Sequence, residues 1–450
     1  MNILVVNGSP KGKNSTTLCI SLYLEKLFGE HSFCVLDAAR KIKALEKDFS
    51  SAEEALKKAE LIIFSYPVYT FLVPSQLHRF IELIKENNID LKGKYATQIS
   101  TSKHFYDVTA HAFIEENCYD LGLKYLRGFS ADMEDLTSKK GRKQARDFFS
   151  QTMFFIENGM ISAPERREAK KPLPYESGLK ETAHDRLKTV AVVTALRDKD
   201  TNLKNMIADF SASTSCRTKL IDLNEFKFTG GCLGCMQCAI EGKCVYKDGF
   251  KEYLNGIHSC DAFVYAFTIE NHYAPSVFKM FDDRQFCNGH RTVTEGKPVG
   301  YIVSGDLSAE KNLSVMIEAR SEVGGNFLCS VASDTDPDPK DSIRNLALIM
   351  DEALENGWSR PKNFYGTGGT KIFRDLIYMM QGFMREDHKF YKKHGIYDFP
   401  QKQKKNIILM KLAGAALRNP SIKKKMGAKL DEFMVMPYKK VVENALIDKE

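Results

Sequence analysis

The chain has 450 residues, of which 43% are apolar and 27% are charged. That composition fits a globular protein of about two to three domains and excludes a disordered, collagenous or membrane-spanning chain. The net charge of +7 lies entirely in residues 401–450, which hold 12 basic and 5 acidic side chains. The first 400 residues are therefore net neutral, which excludes a basic nucleic-acid-binding body. No signal peptide or membrane anchor is visible, so we expect a cytoplasmic protein.

Strands and helices alternate along residues 1–160. Helices are predicted from Thr16 and over Ser75–Glu86, and the predicted strands are short and mostly apolar: Ile3–Asn7, Phe33–Leu36, Leu61–Ser65, Tyr95–Ser100 and Lys124–Gly128. This alternation predicts an α/β domain with a doubly wound parallel sheet.

The pattern stops and then begins again. Residues 161–187 carry three prolines and many charges without periodicity, which predicts a linker. A second α/β domain is predicted over residues 188–355, with strands Val190–Thr194, Ala262–Thr268 and Pro298–Ser304. Residues 356–450 form an extension that is rich in aromatic residues at first, then basic and helical.

The two α/β segments align with each other. At an offset of 201 residues, Pro74-Ser75 matches Pro275-Ser276, and Glu82 matches Asp283. The first strands match at an offset of 187, so the second segment has gained fourteen residues before its third strand. We interpret the chain as two copies of one α/β domain. The alternative is two unrelated α/β domains that share only their patterning.

Two loops of the first copy follow predicted strands on the ligand side of such a sheet. The turn Asn7–Thr16 combines glycines with hydroxyl, amide and lysine side chains ahead of a helix, which suits a phosphate. An ordinary helix-capping turn is the alternative. Ser65–Thr70 follows the third strand with a proline and two tyrosines, and could lie along a flat ring.

These two loops resemble those of the NAD(P)H-dependent FMN reductases, which have a flavodoxin-like fold. The resemblance implies that the FMN phosphate is held by Ser9, Lys11, Asn14, Ser15 and Thr16, and that the ring meets Pro67, Val68, Tyr69 and Thr70. The third ring contact would come from Ser100, Thr101 and Ser102. The loop they begin, Ser100–His104, lacks the glycines that the family often has there.

Four of the eleven cysteines lie within thirteen residues, at Cys232, Cys235, Cys238 and Cys244. Four thiolates can bind [4Fe–4S], [2Fe–2S] or tetrahedral zinc. The compact spacing favours a [4Fe–4S] cluster, with zinc or free thiols as alternatives. The spacing also resembles that of the iron–sulfur flavoproteins, in which the cluster of one subunit lies near the flavin of another.

The two copies divide these features between them. In the second copy the phosphate loop is replaced by Thr194–Asn202, where Asp198 and Asp200 would repel a phosphate. The cysteines occur only in the second copy's insertion. We therefore predict an internal pseudo-dimer with one FMN on the first copy and one cluster on the second.

The predicted function is a flavin-dependent oxidoreductase that passes electrons between FMN and the cluster. Its donor would be NAD(P)H or a ferredoxin-like protein. The alternatives are a non-enzymatic electron carrier or redox sensor, and a zinc-stabilised flavodoxin-like binding protein. No catalytic side chain is assigned, although His104, Tyr69 and His272 could orient substrate or move protons.

The basic extension is expected to form terminal helices with a solvated lysine face. Docking to an acidic electron-transfer protein or to an anionic membrane surface is the alternative.

Overall fold

The computed structural model describes residues 1–161, 169–179, 187–427 and 430–443. It divides into one compact unit, residues 1–390, and a second unit, residues 391–450. The first unit contains two parallel sheets, one from each predicted copy.

The first sheet is built from buried apolar runs, as expected for strands covered on both faces. All its pairs are parallel, in the order β2-β1-β3-β4-β5, with β6 also paired to β4. The strands are β1 (Asn2–Asn7), β2 (Ser32–Leu36), β3 (Leu61–Pro67), β4 (Tyr95–Ser102), β5 (Lys124–Tyr125) and β6 (Phe129–Asp132). The helices are α1 (Thr16–Leu27), α2 (Ala38–Leu45), α3 (Ser50–Lys58), α4 (Ser75–Glu86), α5 (Asp107–Asp120) and α6 (Lys139–Glu157).

The second sheet repeats this topology, in the order β11-β10-β9-β7-β8, and it is also parallel. Its strands are β7 (Thr189–Thr194), β8 (Arg217–Asp222), β9 (Ala262–Thr268), β10 (Pro298–Ser304) and β11 (Phe327–Ser333). Its helices are α7 (Thr201–Ser213), α8 (Gln237–Glu241), α9 (Phe250–His258), α10 (Ser276–Arg284), α11 (Lys311–Gly324) and α12 (Pro339–Asn356). The predicted fold class is thereby confirmed.

Four strands, β5, β6, β8 and β11, differ from the sequence prediction. The predicted strand Lys124–Gly128 was wrong in extent, because β5 ends at Tyr125 and β6 begins at Phe129. Gly128 separates them and packs so closely that a Cβ there would lie 2.2 Å from the Cγ of Gln98. β8 and β11 were not predicted. Both are edge strands with interspersed polar residues, so neither reads as an apolar run.

The two copies share an unusual turn after β3 and β9. Thr70 and Phe71 both have left-handed backbone angles, and so do Asn271 and His272, 201 residues later. Each pair is closed by a short antiparallel bridge, Tyr69 to Leu72 and Glu270 to Tyr273. Two consecutive left-handed non-glycine residues are costly. Their recurrence at the same offset supports duplication of one domain over two unrelated ones.

The copies meet through α4 and α10, which cap each other reciprocally. A carboxylate oxygen of Asp283 accepts a hydrogen bond from the backbone N–H of Ser75 at 2.7 Å. Glu82 accepts one from the N–H of Ser276 at 2.7 Å and another from its hydroxyl at 2.6 Å. The sequence repeat matches Ser75 with Ser276 and Glu82 with Asp283. Because equivalent residues make equivalent contacts in both directions, the interface has pseudo-twofold symmetry.

These caps are buried. Asp283 has no exposed surface and Glu82 is 8% exposed. Burial raises the pKa of both carboxyls. The buried Lys279 ammonium is the counter-ion of Asp283 and also donates to the Tyr69 carbonyl at 3.0 Å.

A second interdomain contact is centred on His272. Its Nε2 lies 3.0 Å from Asp120 of α5, and its Nδ1 lies 3.0 Å from Glu310, which precedes α11. Glu116 and Lys85 complete the group, with Lys85 bound to Asp120 at 2.8 Å. Although burial lowers it, these carboxylates raise the pKa of His272 to about 9. His272 thus joins the second copy to the first.

The remaining helices follow α12. α13 (Phe364–Met379) packs on α11, so part of the segment assigned to the extension lies against the second copy. The others are α14 (Arg385–Lys393), α15 (Lys404–Ala416), α16 (Pro420–Gly427) and α17 (Leu430–Glu443). No described helix is both long enough and apolar enough to cross a membrane.

The buried Lys279–Asp283 ion pair and the Glu82 cap predict how three variants rank in unfolding free energy. Asp283→Asn leaves Lys279 charged and without its counter-ion, so it should cost about 3–5 kcal/mol of unfolding free energy. Glu82→Gln keeps a carbonyl oxygen for Ser276 and should cost about 1 kcal/mol. Glu86→Gln removes only an exposed partner of Arg79 and serves as the control, at under about 0.5 kcal/mol. Urea denaturation followed by circular dichroism measures all three. Equal midpoints for Asp283→Asn and Glu86→Gln would contradict the reciprocal cap.

Candidate functional site

The predicted phosphate turn lies between β1 and α1 and is closed by its own hydrogen bonds. Ser9 is fully buried, and its Oγ accepts a hydrogen bond from the N–H of Lys11 at 3.3 Å. Ser15 caps α1 by accepting from the N–H of Leu18 at 3.3 Å. The side chains at three of the five predicted positions, Lys11, Asn14 and Thr16, are exposed. The turn thus presents a lysine, polar side chains and a helix N-terminus to one region.

The predicted ring loop follows β3. Pro67, Val68, Tyr69 and Thr70 are all half-buried. The Val68 N–H donates to the Thr101 carbonyl at 3.1 Å, which ties this loop to the end of β4. Within the described residues, the Thr70 Oγ1 is buried without a hydrogen-bond partner. A buried hydroxyl without a partner is costly, so a ligand that supplied one would be stabilised here.

All three residues predicted at the end of β4 use their side chains in internal hydrogen bonds. Ser100 lies 2.7 Å from Nε2 of His111, and Thr101 lies 2.5 Å from the hydroxyl of Thr17. Ser102 accepts from the N–H of His104 at 2.8 Å. His104 is half-exposed and its Nδ1 lies 2.8 Å from Asp107.

The four-cysteine loop runs from β8 to α9 and is clamped at its base. The Arg284 guanidinium binds both oxygens of Asp248, at 2.8 and 2.9 Å, and donates to the Gly230 carbonyl at 2.9 Å. Asp248 also accepts from the N–H of Thr229 at 3.1 Å. Burial raises the pKa of Asp248, but its Arg284 hydrogen bonds lower it overall to about 2. The clamp therefore stays ionised and joins the two ends of the loop.

The thiols inside this loop lie close enough to influence one another. Burial first, and neighbouring cysteines in addition, raise the pKa of Cys232 to about 12 and that of Cys238 to about 11. A fifth thiol, Cys287, contributes to the shift at Cys238 and was not anticipated. Cys287 lies three residues after Arg284, the last residue of α10. Because Cys287 is distant in sequence from the other four cysteines, the sequence pattern did not group it with them.

The four thiols of this loop can be compared with a compact metal site. Tetrahedral zinc with Zn–S bonds of about 2.3 Å places its thiolates about 3.8 Å apart. Among the described residues, no three of these sulfurs lie within 4.8 Å of one another.

The cysteine loop of the second copy packs directly on the flavin loops of the first. Gly234, between Cys232 and Cys235, comes so close that a Cβ would lie 2.0 Å from Tyr69 Oη and 3.5 Å from Cε of Lys11. The Gln76 side chain donates to the Cys232 carbonyl at 3.3 Å. The two sets of predicted residues therefore lie next to each other across the pseudo-twofold interface.

Helices α13 and α14 complete this junction. The Phe373 ring lies 4.3 Å from those of both Phe105, in the first copy, and His290, in the second. Asp387 is fully buried and binds His290 at 3.0 Å and Arg291 at 3.1 Å. The sequence shows that this segment is rich in aromatic residues. Which residues they contact could be learned only from the structure.

In the second copy, the loop that corresponds to the phosphate turn is Thr194–Asn202, and its charged side chains form ion pairs with one another and with Glu270. Arg197 pairs with both Asp200 and Glu270, and Lys199 lies 2.8 Å from Glu270. Asp200 also accepts from the Thr268 hydroxyl at 2.9 Å. The acids are thus neutralised, and the cations that a phosphate would need are already in use.

The described part of the predicted linker covers the same edge of the second sheet. Tyr175 is buried, and its N–H and carbonyl bind Asn202 at 2.9 Å and Asn205 at 2.7 Å, in the first turns of α7. The Lys170 N–H donates to Asp306 after β10 at 2.8 Å. The rest of that segment, 162–168 and 180–186, lies outside the described residues.

A further cavity, of about 620 Å³, lies elsewhere on the second copy, between α11, β11 and the segment Trp358–Lys362. It is separate from the loops that the sequence singled out.

Family comparisons support the tandem arrangement. Residues 1–137 match a family model described as a flavodoxin-like fold, and residues 188–320 match that of the NADPH-dependent FMN reductases. No curated protein matches the chain. The predicted resemblance and the two tandem copies are therefore confirmed.

Similar solved structures each cover about one copy. An NAD(P)H:quinone oxidoreductase from Methanothermobacter marburgensis is 13% identical, with 39% of this chain and 98% of that chain covered and a TM-score of 0.29. An FMN-dependent NADH-azoreductase from Bacillus anthracis str. Ames Ancestor, in complex with FMN, is 15% identical, with 38% and 99% covered and a TM-score of 0.27.

The contact between Gly234 and Tyr69 can be tested by rescue. Gly234 has a φ of +61° and no room for a Cβ. Gly234→Ala should therefore lower the thermal midpoint and speed the reaction of Cys235 with a thiol reagent. Tyr69→Phe removes the clashing oxygen, so the double variant should recover part of the loss. Gly256→Ala, at a helical site with open space around it, is the control. If Tyr69→Phe gave no recovery, the loop would not lie against Tyr69.

Proposed function

We propose that this tandem of flavodoxin-like domains, whose second copy matches the NADPH-dependent FMN reductases, is a flavin-dependent NAD(P)H oxidoreductase with one FMN site and one cysteine-bound iron–sulfur centre. The observation that carries the proposal is the packing of Gly234 on Tyr69 and Lys11. It brings the only complete set of flavin loops in the described residues next to the four-cysteine loop.

The residues present fit an FMN on the first copy. Lys11, Asn14 and Thr16, with the N-terminus of α1, would hold the phosphate, while Ser9 and Ser15 shape the turn. The Pro67–Thr70 loop would lie along the ring, and Thr70 Oγ1 would gain the hydrogen bond that it lacks among described residues. FMN accepts a hydride as two electrons and can release them singly.

The chain's residues position these groups rather than react. Lys279 holds the Tyr69 carbonyl and so fixes the ring loop from the second copy. Arg284 and Asp248 hold the cysteine loop against it. Phe373 lies between Phe105 of the first copy and His290 of the second, and Asp387 holds His290 in place.

The donor set fits an iron–sulfur centre better than zinc. Four thiols come from one loop, and the compact spacing from Cys232 to Cys244 in the sequence favours a cluster over two separate zinc knuckles. The raised pKa values of Cys232 and Cys238 mean that these thiols stay protonated at neutral pH unless a metal displaces the proton. Such a centre would carry electrons one at a time.

Cofactor counting on the anaerobically purified protein tests this division. We expect one FMN and one iron–sulfur centre per chain, and rapid bleaching of the flavin by NADH or NADPH. Lys11→Ala should weaken FMN binding by about ten- to a hundredfold, since charge-assisted contacts contribute about 1.5–3 kcal/mol. Lys199→Ala, in the corresponding loop of the second copy, should leave FMN binding unchanged.

Cys235→Ser should remove iron and acid-labile sulfide, whereas Cys260→Ser, a buried cysteine at the start of β9, should retain both. Two FMN per chain, or unchanged iron in Cys235→Ser, would contradict the proposal. Reduction of the flavin by a ferredoxin-like protein but not by NADH or NADPH would identify a carrier instead.

A further inference from the structure

Helix α15 exposes an unusual amount of apolar surface. Within its own unit, Ile408 and Leu409 are each 58% exposed and Leu412 is 64% exposed, and no residue of this helix is buried. α17 repeats the feature, with Met436 at 56% and Val441 at 60%. Contiguous exposed apolar residues of this kind mark a surface that meets an apolar partner.

Positive charge of one sign accompanies this apolar surface. Residues 401–430 contain nine basic and no acidic side chains. Lys404 and Lys411 are seven residues apart, which places them along one line of α15. Ile408 and Leu412 are four residues apart and lie beside that line, with Leu409 further round and Lys405 between Leu412 and Leu409. The helix therefore has a narrow basic line and a broad apolar side that also carries Lys405.

The breadth of the apolar side distinguishes a lipid surface from a protein groove. Ile408, Leu409, Met410 and Leu412 point in four directions that together cover more than half of the helix circumference. A groove in a protein takes a narrower stripe, whereas acyl chains can surround a helix that lies at their boundary. α15 spans only about 20 Å, so it would lie in the interface and not cross it.

We propose that residues 401–427 bind an anionic lipid surface, with α15 lying in the plane of the interface. The basic side chains contact lipid headgroups, and Ile408, Leu409 and Leu412 enter the boundary of the acyl chains. The net-neutral remainder of the chain contributes no bulk attraction, so this segment alone accounts for the binding. The inference is independent of the redox function and requires neither cofactor.

Vesicle flotation of the full-length protein tests the proposal. At 0.15 M salt, we expect binding to vesicles of phosphatidylcholine with 30% phosphatidylglycerol, little binding to phosphatidylcholine alone, and a marked loss in 0.5 M salt.

The triple variant Lys404→Gln, Lys405→Gln, Lys411→Gln should lower the partition coefficient on the order of a hundredfold, from a factor of about five per lysine. The matched control carries Lys139→Gln, Lys140→Gln and Lys143→Gln on α6, which are equally exposed, and should bind as the wild type does.

Insertion is tested separately from charge. Leu412→Trp should shift its emission to the blue on anionic vesicles, beyond any change of Trp358 in the wild type. Leu409→Gln with Leu412→Gln should weaken vesicle binding without altering net charge.

Three outcomes would overturn the proposal. The first is equal binding by both triple-lysine variants. The second is unchanged binding after the leucine substitutions, which would reduce the contact to charge alone, as an acidic protein surface could supply. The third is a blue shift that depends on protein concentration without vesicles, because a second copy of the chain would then cover the helix.

Discussion

Two buried carboxylates hold the two halves of this molecule in register. Glu82 and Asp283 each accept hydrogen bonds at the N-terminus of the other copy's helix, where free N–H groups and the helix dipole favour a negative charge. Because α10 is held in this way, Lys279 reaches the carbonyl of Tyr69 and Arg284 reaches the base of the cysteine loop. One helix of the second copy thus fixes both partners of the candidate site.

The interface also explains how the copies could diverge. Both keep the left-handed turn, the capping serine and the capping acid, since the pairing needs these on both sides. The flavin loops are not needed for pairing. In the second copy Arg197, Asp200 and Glu270 have become a closed ionic group. In the first copy no cysteine insertion lies between β2 and α3.

Local patterns predicted most of the fold. Buried apolar strands such as Leu61–Pro67 and Ala262–Thr268 were found because both faces are covered, and the prolines at 74 and 275 marked the helix starts. The edge strands β8 and β11 were missed because their polar residues hide the pattern. The candidate site was harder to predict from the sequence than the fold. The loops could be identified, but Cys287, Phe373 and Asp387 enter it from distant parts of the chain, and no local signal marks them.

Covalent linkage of the two copies has a consequence for how this site responds to dilution. In a dimer of separate subunits, a site built across the interface disappears when the concentration falls below the dissociation constant. Here α4 and α10 belong to one chain, so their encounter is intramolecular and its effective concentration is set by the connecting segment. The junction between Tyr69 and Gly234 is therefore present at any protein concentration, and neither half has to wait for a partner after synthesis.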